Sequence, residues 1–546
     1  MHPRLAACLN RATLALAIGS IFSHTLLLAQ PAPRPIDRDL LEIDIPKLES
    51  LYTHHKYTVT QVTQWYLDRI ALYNPVYRPV VHLDATGALA TAAHEDATAK
   101  STPHGPLWGV PILIKDNTSV AGLITSDGWS GFNISGKEFI PTTDATVVKK
   151  LRAAGAIILG HSNMPDFAAS DTNFSSAGGR TGNAYIVRYS PGGSSGGTAT
   201  AVAANLAIFG TGTDTANSVR IPAATDSLVG LLPTRGLTSI AGIHPLDWLL
   251  DNTGPLARNV TDAAIALDIM AGEDPQDFRT AGSTAKAQKL PHTAFLKPGA
   301  LKGKRFGVPT FILNPPAPAA GSTGRPPLPL DPTTREAFLK SLDQMRAAGA
   351  TIVIDDTILA EFPPLIHAIT TKVYRAEGTL SFLRDYGPAI YKTPEQFEAI
   401  TGTQFPPMLL GLGGRSPAPQ RTLETDPEKD ATFFGPQQKA LDDYDATLAR
   451  LHLDGFVYPA LQMPPNDETP VPGQPRSEGP HSATGWVNNI GVPAIVLPGG
   501  FYANGLPFGI EISAARWHDG DLIGYAYAYE QATHNRRPPT LITTPE

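Results

Sequence analysis

The stretch Ser190–Pro222, SPGGSSGGTATAVAANLAIFGTGTDTANSVRIP, is the most informative segment of this chain of 546 residues. It places two serine sites, at Ser194 and Ser218, on either side of a run of small residues. Glycines open that run, and the alanines and valine that follow predict a helix whose small side chains allow very close packing. Two later glycines let the returning backbone approach the same place. The sequence therefore predicts that Ser194 and Ser218 face each other.

Three other interpretations of this Gly/Ser-rich run fit the residues less well. A flexible linker would not alternate with a Val/Ala/Leu helix, and a phosphate loop would need a following Gly-Lys-Ser/Thr. The run Gly193–Gly197 also satisfies the G-x-S-x-G of α/β-hydrolases, with Ser195 as nucleophile and His481 as base. That elbow should follow directly on a buried strand, whereas Tyr189–Gly192 is a turn, which disfavours this third interpretation.

Upstream, a lysine stands where a buried strand is expected to end. Gly109–Ile114 is a short apolar run of strand type, and Lys115 follows it directly. Without the serine sites, the simpler interpretation of a lysine here would be an exposed strand end. Because the chain also contains the two serine sites, Lys115 is a candidate catalytic residue.

The rest of the chain alternates helical and strand patterns. A helical lead-in is predicted over Ile45–Tyr73, with Thr60 available as its cap, and a closing helix over 521–535. Between them, helix and strand patterns follow one another near 146–159 and again near 336–354. This order predicts an α/β fold with a mainly parallel or mixed sheet, covered by helices on both faces.

On these residues the chain resembles the amidase signature family of Ser-cisSer-Lys amide hydrolases. Gly192–Gly197, Gly212–Asp214 and Ser218–Pro222 fit that family's defining pattern with its spacing. Further similar segments lie at 105–116, 160–168, 230–235, 252–258, 488–500 and 505–512. The resemblance implies one large catalytic domain, predicted over 31–546, although the length alone favours two or three domains. It leaves out two Pro-rich stretches, near 314–332 and 411–436, which are predicted surface insertions.

The resemblance implies Ser218 as nucleophile, Ser194 as proton relay and Lys115 as base. An amide's amine leaves only when protonated, so the site must both activate a nucleophile and return a proton. The Ser194 hydroxyl can donate and accept at once, which suits it to pass a proton between Ser218 and a neutral lysine. Burial at the strand end is expected to lower the pKa of Lys115 and keep it uncharged.

The resemblance also implies an oxyanion hole, made by the backbone N–H groups of Thr215, Ala216, Asn217 and Ser218. The family commonly has Gly-Gly where this chain has Ala216 and Asn217. Because asparagine tolerates a positive φ better than most residues, the turn is expected to survive this difference.

Three more residues receive roles from the resemblance. Asp214 and Arg220 are expected to form a supporting ion pair that fixes the loop, and Met164 is expected to contact substrate. The fifteen histidines show no metal spacing, since His94-Glu95 lacks the second histidine of a zinc protease. We predict no metal and no cofactor.

The composition and net charge limit the kinds of molecule that the chain is expected to bind. The chain is 42% hydrophobic and 17% charged, an ordinary globular composition. Its formal net charge is −7 and its pI about 6.1, without any Lys/Arg run, so nucleic-acid binding is not expected. The expected partner is a small-molecule or peptide amide, bound by a monomer or homodimer.

The first thirty residues have the pattern of a secretory signal peptide. Arg4 and Arg11 precede the apolar stretch Ala12–Ala29, and a Pro-rich segment follows. A retained anchor is the alternative, disfavoured because Ser20 and two other polar residues interrupt the run. Cleavage near residue 30 would remove the single cysteine, which excludes a disulfide framework and a cysteine nucleophile. We expect an exported, periplasmic protein without a membrane anchor, which is incompatible with the family's tRNA-amidotransferase role in the cytosol.

Substrate is predicted only broadly. The family hydrolyses small carboxamides, aryl amides, amidated peptides and some esters or carbamates. The closing stretch 505–539 is most similar to peptide-amidase-like members, so primary or peptidyl amides with an apolar acyl side are expected. An esterase or carbamate hydrolase with the same triad, and a non-catalytic binding homologue, are the alternatives.

Overall fold

The computed structural model describes residues 34–100, 104–315, 329–412, 419–469 and 480–544. The predicted signal peptide lies outside these residues, and so does most of the first Pro-rich stretch. The chain separates into two units, Met1–Leu41 and Glu42–Glu546. In the described part of the first unit, helix α1 (Pro35–Leu40) begins with a proline, and the Asp37 carboxylate accepts from the Arg34 backbone N–H at 2.8 Å.

Thirteen strands occur in the described residues. They are β1 (Val80–Leu83), β2 (Val110–Lys115), β3 (Ala156–Ser162), β4 (Phe174–Ser175), β5 (Gly179–Arg180), β6 (Phe209–Asp214), β7 (Val229–Leu232), β8 (Asn252–Ala257), β9 (Arg305–Val308), β10 (Thr351–Ile354), β11 (Gly455–Pro459), β12 (Ala494–Phe501) and β13 (Pro507–Ser513). Eleven of them form one sheet in the order β1-β3-β2-β6-β8-β7-β12-β13-β11-β9-β10, and β4 pairs with β5 separately.

The sheet is mixed, which confirms the predicted fold class. β2 runs parallel to both β3 and β6, and β9 runs parallel to β10 and β11. The strands from β6 through β8, β7, β12 and β13 to β11 pair antiparallel. Every residue of β2, β3, β6, β7 and β8 is buried, and this requires cover on both faces of the sheet.

Helices supply that cover. In the second unit they are α2 (Ile45–Thr53), α3 (Val59–Tyr77), α4 (Ala85–Thr98), α5 (Thr146–Ala153), α6 (Gly196–Ala203), α7 (Arg220–Thr225), α8 (Val260–Met270), α9 (Ser283–Lys286), α10 (Thr310–Leu313), α11 (Pro332–Ala347), α12 (Phe362–His367), α13 (Arg375–Tyr386), α14 (Pro394–Thr401), α15 (Gly435–Leu451), α16 (Trp486–Ile490) and α17 (Asp519–Thr533). α6, α7, α8, α11 and α17 pack against the central strands. None of the described helices is both long and apolar enough to cross a bilayer.

The structure corrects one predicted helix cap and adds detail to two predicted segments. The lead-in is not one helix but two, α2 and α3, and the cap of α3 is Thr58 rather than Thr60. Thr58 accepts from the backbone N–H of Gln61, whose side chain accepts from the Thr58 N–H, so a capping box fixes the start there. The predicted insertion 411–436 is not all surface loop. Its last residues form a π-helical turn, Asp430–Phe434, that runs directly into α15.

Candidate active site

Lys115 ends β2 with its side chain fully buried. Its Nζ lies 2.7 Å from Ser194 Oγ, 2.8 Å from Thr213 Oγ1 and 3.4 Å from the Thr213 carbonyl. A neutral amine has two N–H donors and one lone pair. Thr213 therefore supplies both acceptors, and the lone pair is left for the hydroxyl proton of Ser194. The parallel pairing of β2 with β6 brings these residues together at the carboxyl ends of both strands.

The charge state of Lys115 follows from its surroundings. Burial disfavours the ammonium form and lowers the pKa of Lys115 to about 7, although the charges of Asp127, Asp214 and Asp251 act in the opposite direction. Within the described residues, no carboxylate lies within ion-pair distance of Nζ. A substantial fraction of Lys115 is therefore neutral near pH 7.

Ser194 stands in a tight loop ahead of α6, after a cis peptide bond between Gly193 and Ser194. Gly192 has a φ of 71°, which a residue with a side chain rarely adopts. A Cβ on Gly193 would collide with the backbone carbonyls of Ser170 and Thr172, so only glycine fits there. The glycines of the motif thus set the backbone path that brings a fully buried Ser194 to Lys115.

Ser218 lies in the loop between β6 and α7. It is 7% exposed, whereas Ser194 and Lys115 have no exposed surface, so of the three it is the one that meets solvent. Among the described residues no hydrogen bond joins Ser194 Oγ to Ser218 Oγ, although the Ser195 N–H donates to the Ser218 carbonyl at 3.2 Å. Catalytic hydrogen bonds in ligand-free sites are often long and shorten in the complex.

The four residues Thr215 to Ser218 form the nucleophile loop. Within the described structure, none of their backbone N–H groups donates to another protein group. The next N–H, that of Val219, donates to Asp214 Oδ2 at 2.9 Å. The loop therefore presents a set of unused donors beside the most exposed hydroxyl, as stabilisation of an oxyanion requires.

The difference from Gly-Gly in this loop has a simple structural explanation. Neither Ala216 nor Asn217 adopts a positive φ, so the turn does not depend on the tolerance of asparagine that the sequence suggested. Ala216 is exposed and Asn217 is largely buried. A Cβ is accommodated at both positions without backbone strain.

Arg220 begins α7 and is fully buried. Its Nε lies 3.1 Å from Asp214 Oδ2, and its Nη1 lies 2.6 Å from Glu511 Oε1. Burial alone would lower the pKa of Arg220, but these two carboxylates raise it. The remaining guanidinium N–H groups donate to the Thr484 carbonyl and hydroxyl, the Ala216 carbonyl and Asn488 Oδ1. The predicted pair is therefore part of a larger cluster that holds the loop.

Ser195 and His481 are not arranged as nucleophile and base. Ser195 is fully buried and its hydroxyl donates to the Thr213 carbonyl at 3.3 Å. His481 Nδ1 lies 3.6 Å from Asp171 Oδ2, and no described contact joins it to Ser195. The geometry does not support the α/β-hydrolase interpretation.

Met164 is fully buried two residues after β3, and its role as a substrate contact stays a prediction. Sequence reasoning assigned no role to Thr213, Asn117, Asn488 or Glu511. Asn117 Nδ2 donates to Thr213 Oγ1 at 3.1 Å. Thr213 lies within the motif segment Gly212–Asp214, and Asn117 directly follows the segment 105–116, so a signal was present beside both. In the described part of the chain, no three acidic or histidine side chains are grouped as metal ligands would be.

The chain is similar to several known proteins over most of its length. A family profile described as Amidase matches residues 61–523. A glutamyl-tRNA(Gln) amidotransferase subunit from Acinetobacter baumannii is 31% identical over 530 residues, which cover 91% of this chain and 98% of that protein. The X-ray structure of peptide amidase from Stenotrophomonas maltophilia is 31% identical, with a TM-score of 0.73, covering 92% of this chain and 99% of that one. A bacterial aryl acylamidase, 22% identical with a TM-score of 0.69, shares the fold.

Proposed function

Since this chain belongs to the amidase signature family and is an amide hydrolase, we propose that it is an exported amidase that forms its acyl-enzyme on Ser218. The observation that carries the mechanism is the buried contact of 2.7 Å between Lys115 Nζ and Ser194 Oγ, made by a lysine whose pKa burial lowers to about 7. A base that is neutral near working pH and already in contact with a relay hydroxyl can receive a proton without rearrangement.

In the acylation half, Ser218 Oγ attacks the amide carbon. The Ser218 proton passes to Ser194 Oγ as the Ser194 proton passes to Lys115 Nζ, leaving an ammonium. The carbonyl oxygen becomes an anion and is held by the N–H groups of the nucleophile loop. When the carbon–nitrogen bond breaks, the proton returns from Lys115 through Ser194 to the leaving nitrogen, so ammonia or an amine departs.

In the deacylation half, water takes the place of the departed amine. It attacks the acyl carbon while its proton travels through Ser194 to Lys115. Collapse of the second tetrahedral intermediate returns that proton to Ser218 Oγ and releases the carboxylic acid. Ser195 has no role in either half, because its hydroxyl is directed at the Thr213 carbonyl.

Covalent labelling with a fluorophosphonate tests the assignment of the nucleophile. Ser218→Ala should abolish labelling, because the attacking oxygen is gone. Ser194→Ala and Lys115→Ala keep that oxygen but remove the proton route, so labelling should persist slowly while turnover falls by about 10²–10⁴. Ser195→Ala is the matched control in the same motif and should label normally. Labelling that is lost in Ser195→Ala and kept in Ser218→Ala would overturn the mechanism.

The proposed substrates are primary or peptidyl amides with an apolar acyl side. Support comes from the 31% identity to a peptide amidase over nearly its whole length, and from the similarity of stretch 505–539 to such enzymes. Ammonia release from amidated dipeptides should exceed release from acetamide. A clear preference for acetamide, or faster cleavage of a matched ester or carbamate, would refute this substrate class.

A second candidate function follows from an equally similar relative. The glutamyl-tRNA(Gln) amidotransferase subunit from Acinetobacter baumannii is also 31% identical over nearly its whole length, which favours a role as one component of an amidotransferase. The two candidates separate when the purified chain is assayed alone. Amide hydrolysis by the isolated chain supports the amidase, whereas an activity that appears only with partner proteins supports the amidotransferase.

Export is proposed from the amino-terminal residues alone. Arg4 and Arg11 ahead of the apolar stretch Ala12–Ala29 support a signal peptide that is cleaved near residue 30 and a periplasmic destination. Amino-terminal sequencing of the native protein tests this. A protein that begins at Met1 and is found in the cytosol would overturn it.

A further inference from the structure

We propose that Asp251 is a positioning residue, whose carboxylate holds the first residue of the nucleophile loop, Thr215, and so aims the N–H groups of that loop at the developing oxyanion. The proposal rests on the proposed function of the loop. Asp251 lies outside the motif Ser190–Pro222 and is 36 positions away from Thr215 in sequence.

The contacts of Asp251 are those of a buried, ionised acceptor. Oδ1 accepts from the Thr215 hydroxyl at 2.5 Å, and the carboxylate also accepts the backbone N–H groups of Leu246 and Asp247 at 3.0–3.2 Å. The side chain is only 3% exposed. Since all its partners donate, the carboxylate form is the one that satisfies them, and the Thr215 hydroxyl is directed to it.

The other ties of the loop explain why this one matters. Arg220 Nη2 donates to the Ala216 carbonyl at 2.5 Å, and the Asn217 carbonyl accepts from the N–H groups of Arg220 and Ile221. These ties restrain the carbonyl side of the loop at its second and third residues. The hydrogen bond from Thr215 to Asp251 is the side-chain tie at the first residue. The preceding residue, Asp214, is held by β8 and by Asn488. Loss of the Thr215 hydrogen bond therefore removes the restraint on Thr215 itself, and the donors that must meet an oxyanion are aimed less firmly.

Asp251 also acts on the proposed base through its charge. The negative charge of Asp251 raises the pKa of Lys115 against the larger effect of burial. Burial raises the pKa of Asp251 itself to about 6; the Thr215 hydrogen bond and Arg279 lower it, and the charge of Asp247 raises it. Removing the charge should therefore lower the pKa of Lys115, which moves the acid limb of kcat/KM to lower pH.

Four variants test the proposal in the full-length enzyme. Thr215→Val removes the tie, so at pH 8, where Asp251 remains ionised and its charge is kept, kcat should fall by about tenfold or more with little change in KM. Asp251→Asn weakens the tie and removes the charge, so kcat should fall and the acid limb should move to lower pH. Thr215→Ser restores the hydroxyl and should recover most of the kcat lost in Thr215→Val.

Asp247→Asn is the matched control. Asp247 is an equally buried carboxylate in the same segment, but its side chain accepts from Thr371 at 2.6 Å rather than from the nucleophile loop. Its kcat at pH 8, where Asp251 is ionised with or without the charge of Asp247, should match the wild type. If Thr215→Val keeps wild-type kcat, or Asp251→Asn behaves like Asp247→Asn, the proposal is wrong. If the wild type is labelled at Ser218 by a fluorophosphonate, the proposed function holds and only the role of Asp251 fails. If Asp251→Asn does not fold, the kcat of Thr215→Val tests the proposal.

Discussion

Lys115 and Arg220 both have basic side chains without any exposed surface, yet their surroundings shift their pKa values in opposite directions. Lys115 contacts Thr213 at one end of the segment 213–220, and Arg220 forms its other end. Lys115 meets two hydroxyls and one carbonyl, and burial lowers its pKa to about 7. Arg220 meets two carboxylates, which raise its pKa. Burial lowers the pKa of both, and the presence or absence of a carboxylate in contact decides whether a proton can leave.

The chemistry of the two side chains fits this division. An amine with a lowered pKa can exchange a proton with Ser194, whereas a guanidinium stays protonated and offers five donors in a fixed plane. Arg220 uses those donors to bind the carbonyl of Ala216 and the side chains on two distant segments. One buried nitrogen group is therefore suited to move protons, and the other to hold the loop in place.

Exchanging the base for an apolar side chain should produce the largest effect. Lys115→Met should lower kcat by about 10²–10⁴, because the proton of Ser218 loses its acceptor. The free energy of unfolding should not fall, since methionine fills a similar buried volume without an amine to desolvate. Steady-state kinetics and urea unfolding measure the two quantities. Lys115→Arg, which cannot act as a base, should lose as much activity, and a Lys115→Met enzyme within a few fold of wild type would contradict the comparison.

Replacing Arg220, in contrast, should mainly reduce the stability of the protein. Arg220→Met leaves Asp214 and Glu511 buried without their partner, which should lower the free energy of unfolding by about 3–5 kcal/mol. Arg346→Met is a suitable control, because its ion pair with Asp343 is exposed and should contribute about 0–1 kcal/mol. Urea unfolding midpoints compare the two variants. An Arg220→Met protein that is as stable as the Arg346→Met control would show that the cluster does not hold the fold.

The sequence predicted the surroundings of Lys115 better than those of Arg220. Ser194, Ser218 and Lys115 stand in motif segments, so their candidacy was visible, and the burial of Lys115 was implied by the apolar run before it. Glu511 was not visible as a partner of Arg220, because the two lie 291 positions apart and meet only where α7 packs against β13. The same holds for Asp251 and Thr215. Contacts that depend on sheet order cannot be read from local pattern.

Local sequence patterns likewise predicted only part of the fold. Strands β2, β3 and β10 were predicted from apolar runs beside helical segments, as was α6 from its small residues. The antiparallel half of the sheet, with β12 and β13, was covered only by the family resemblance. The cap of α3 was a different kind of error, since Thr58 and Gln61 carry a capping-box pattern that was available in the sequence.

The charge difference predicts an acid limb in kcat/KM that begins near pH 7. Lys115 must be neutral to accept a proton, so protonation below its pKa of about 7 stops catalysis. Activity should fall toward a slope of about tenfold per pH unit, and Asp251, whose pKa burial raises to about 6, is protonated over the lower part of the same range. Arg220 stays charged throughout and adds no limb. A pH profile between 5 and 9 at fixed ionic strength measures this. A limb that rises toward acid would show that the lysine acts in its charged form.

The smallest effect is expected from variants that remove one neutral hydrogen-bond acceptor from Lys115 or from Arg220. Thr213 Oγ1 accepts from Lys115 Nζ at 2.8 Å, and Thr484 Oγ1 accepts from Arg220 Nη1 at 2.8 Å, so Thr213→Val and Thr484→Val are matched changes. A hydrogen bond to a charged donor contributes about 1.5 kcal/mol, so its loss should lower the pKa of Lys115 by about one unit or less. The acid limb of kcat/KM should therefore move to lower pH in Thr213→Val and stay in place in Thr213→Ser. Thr484→Val should not move it, because two carboxylates still fix the charge of Arg220. An unmoved limb in Thr213→Val would mean that the titrating base is not the amine that Thr213 contacts.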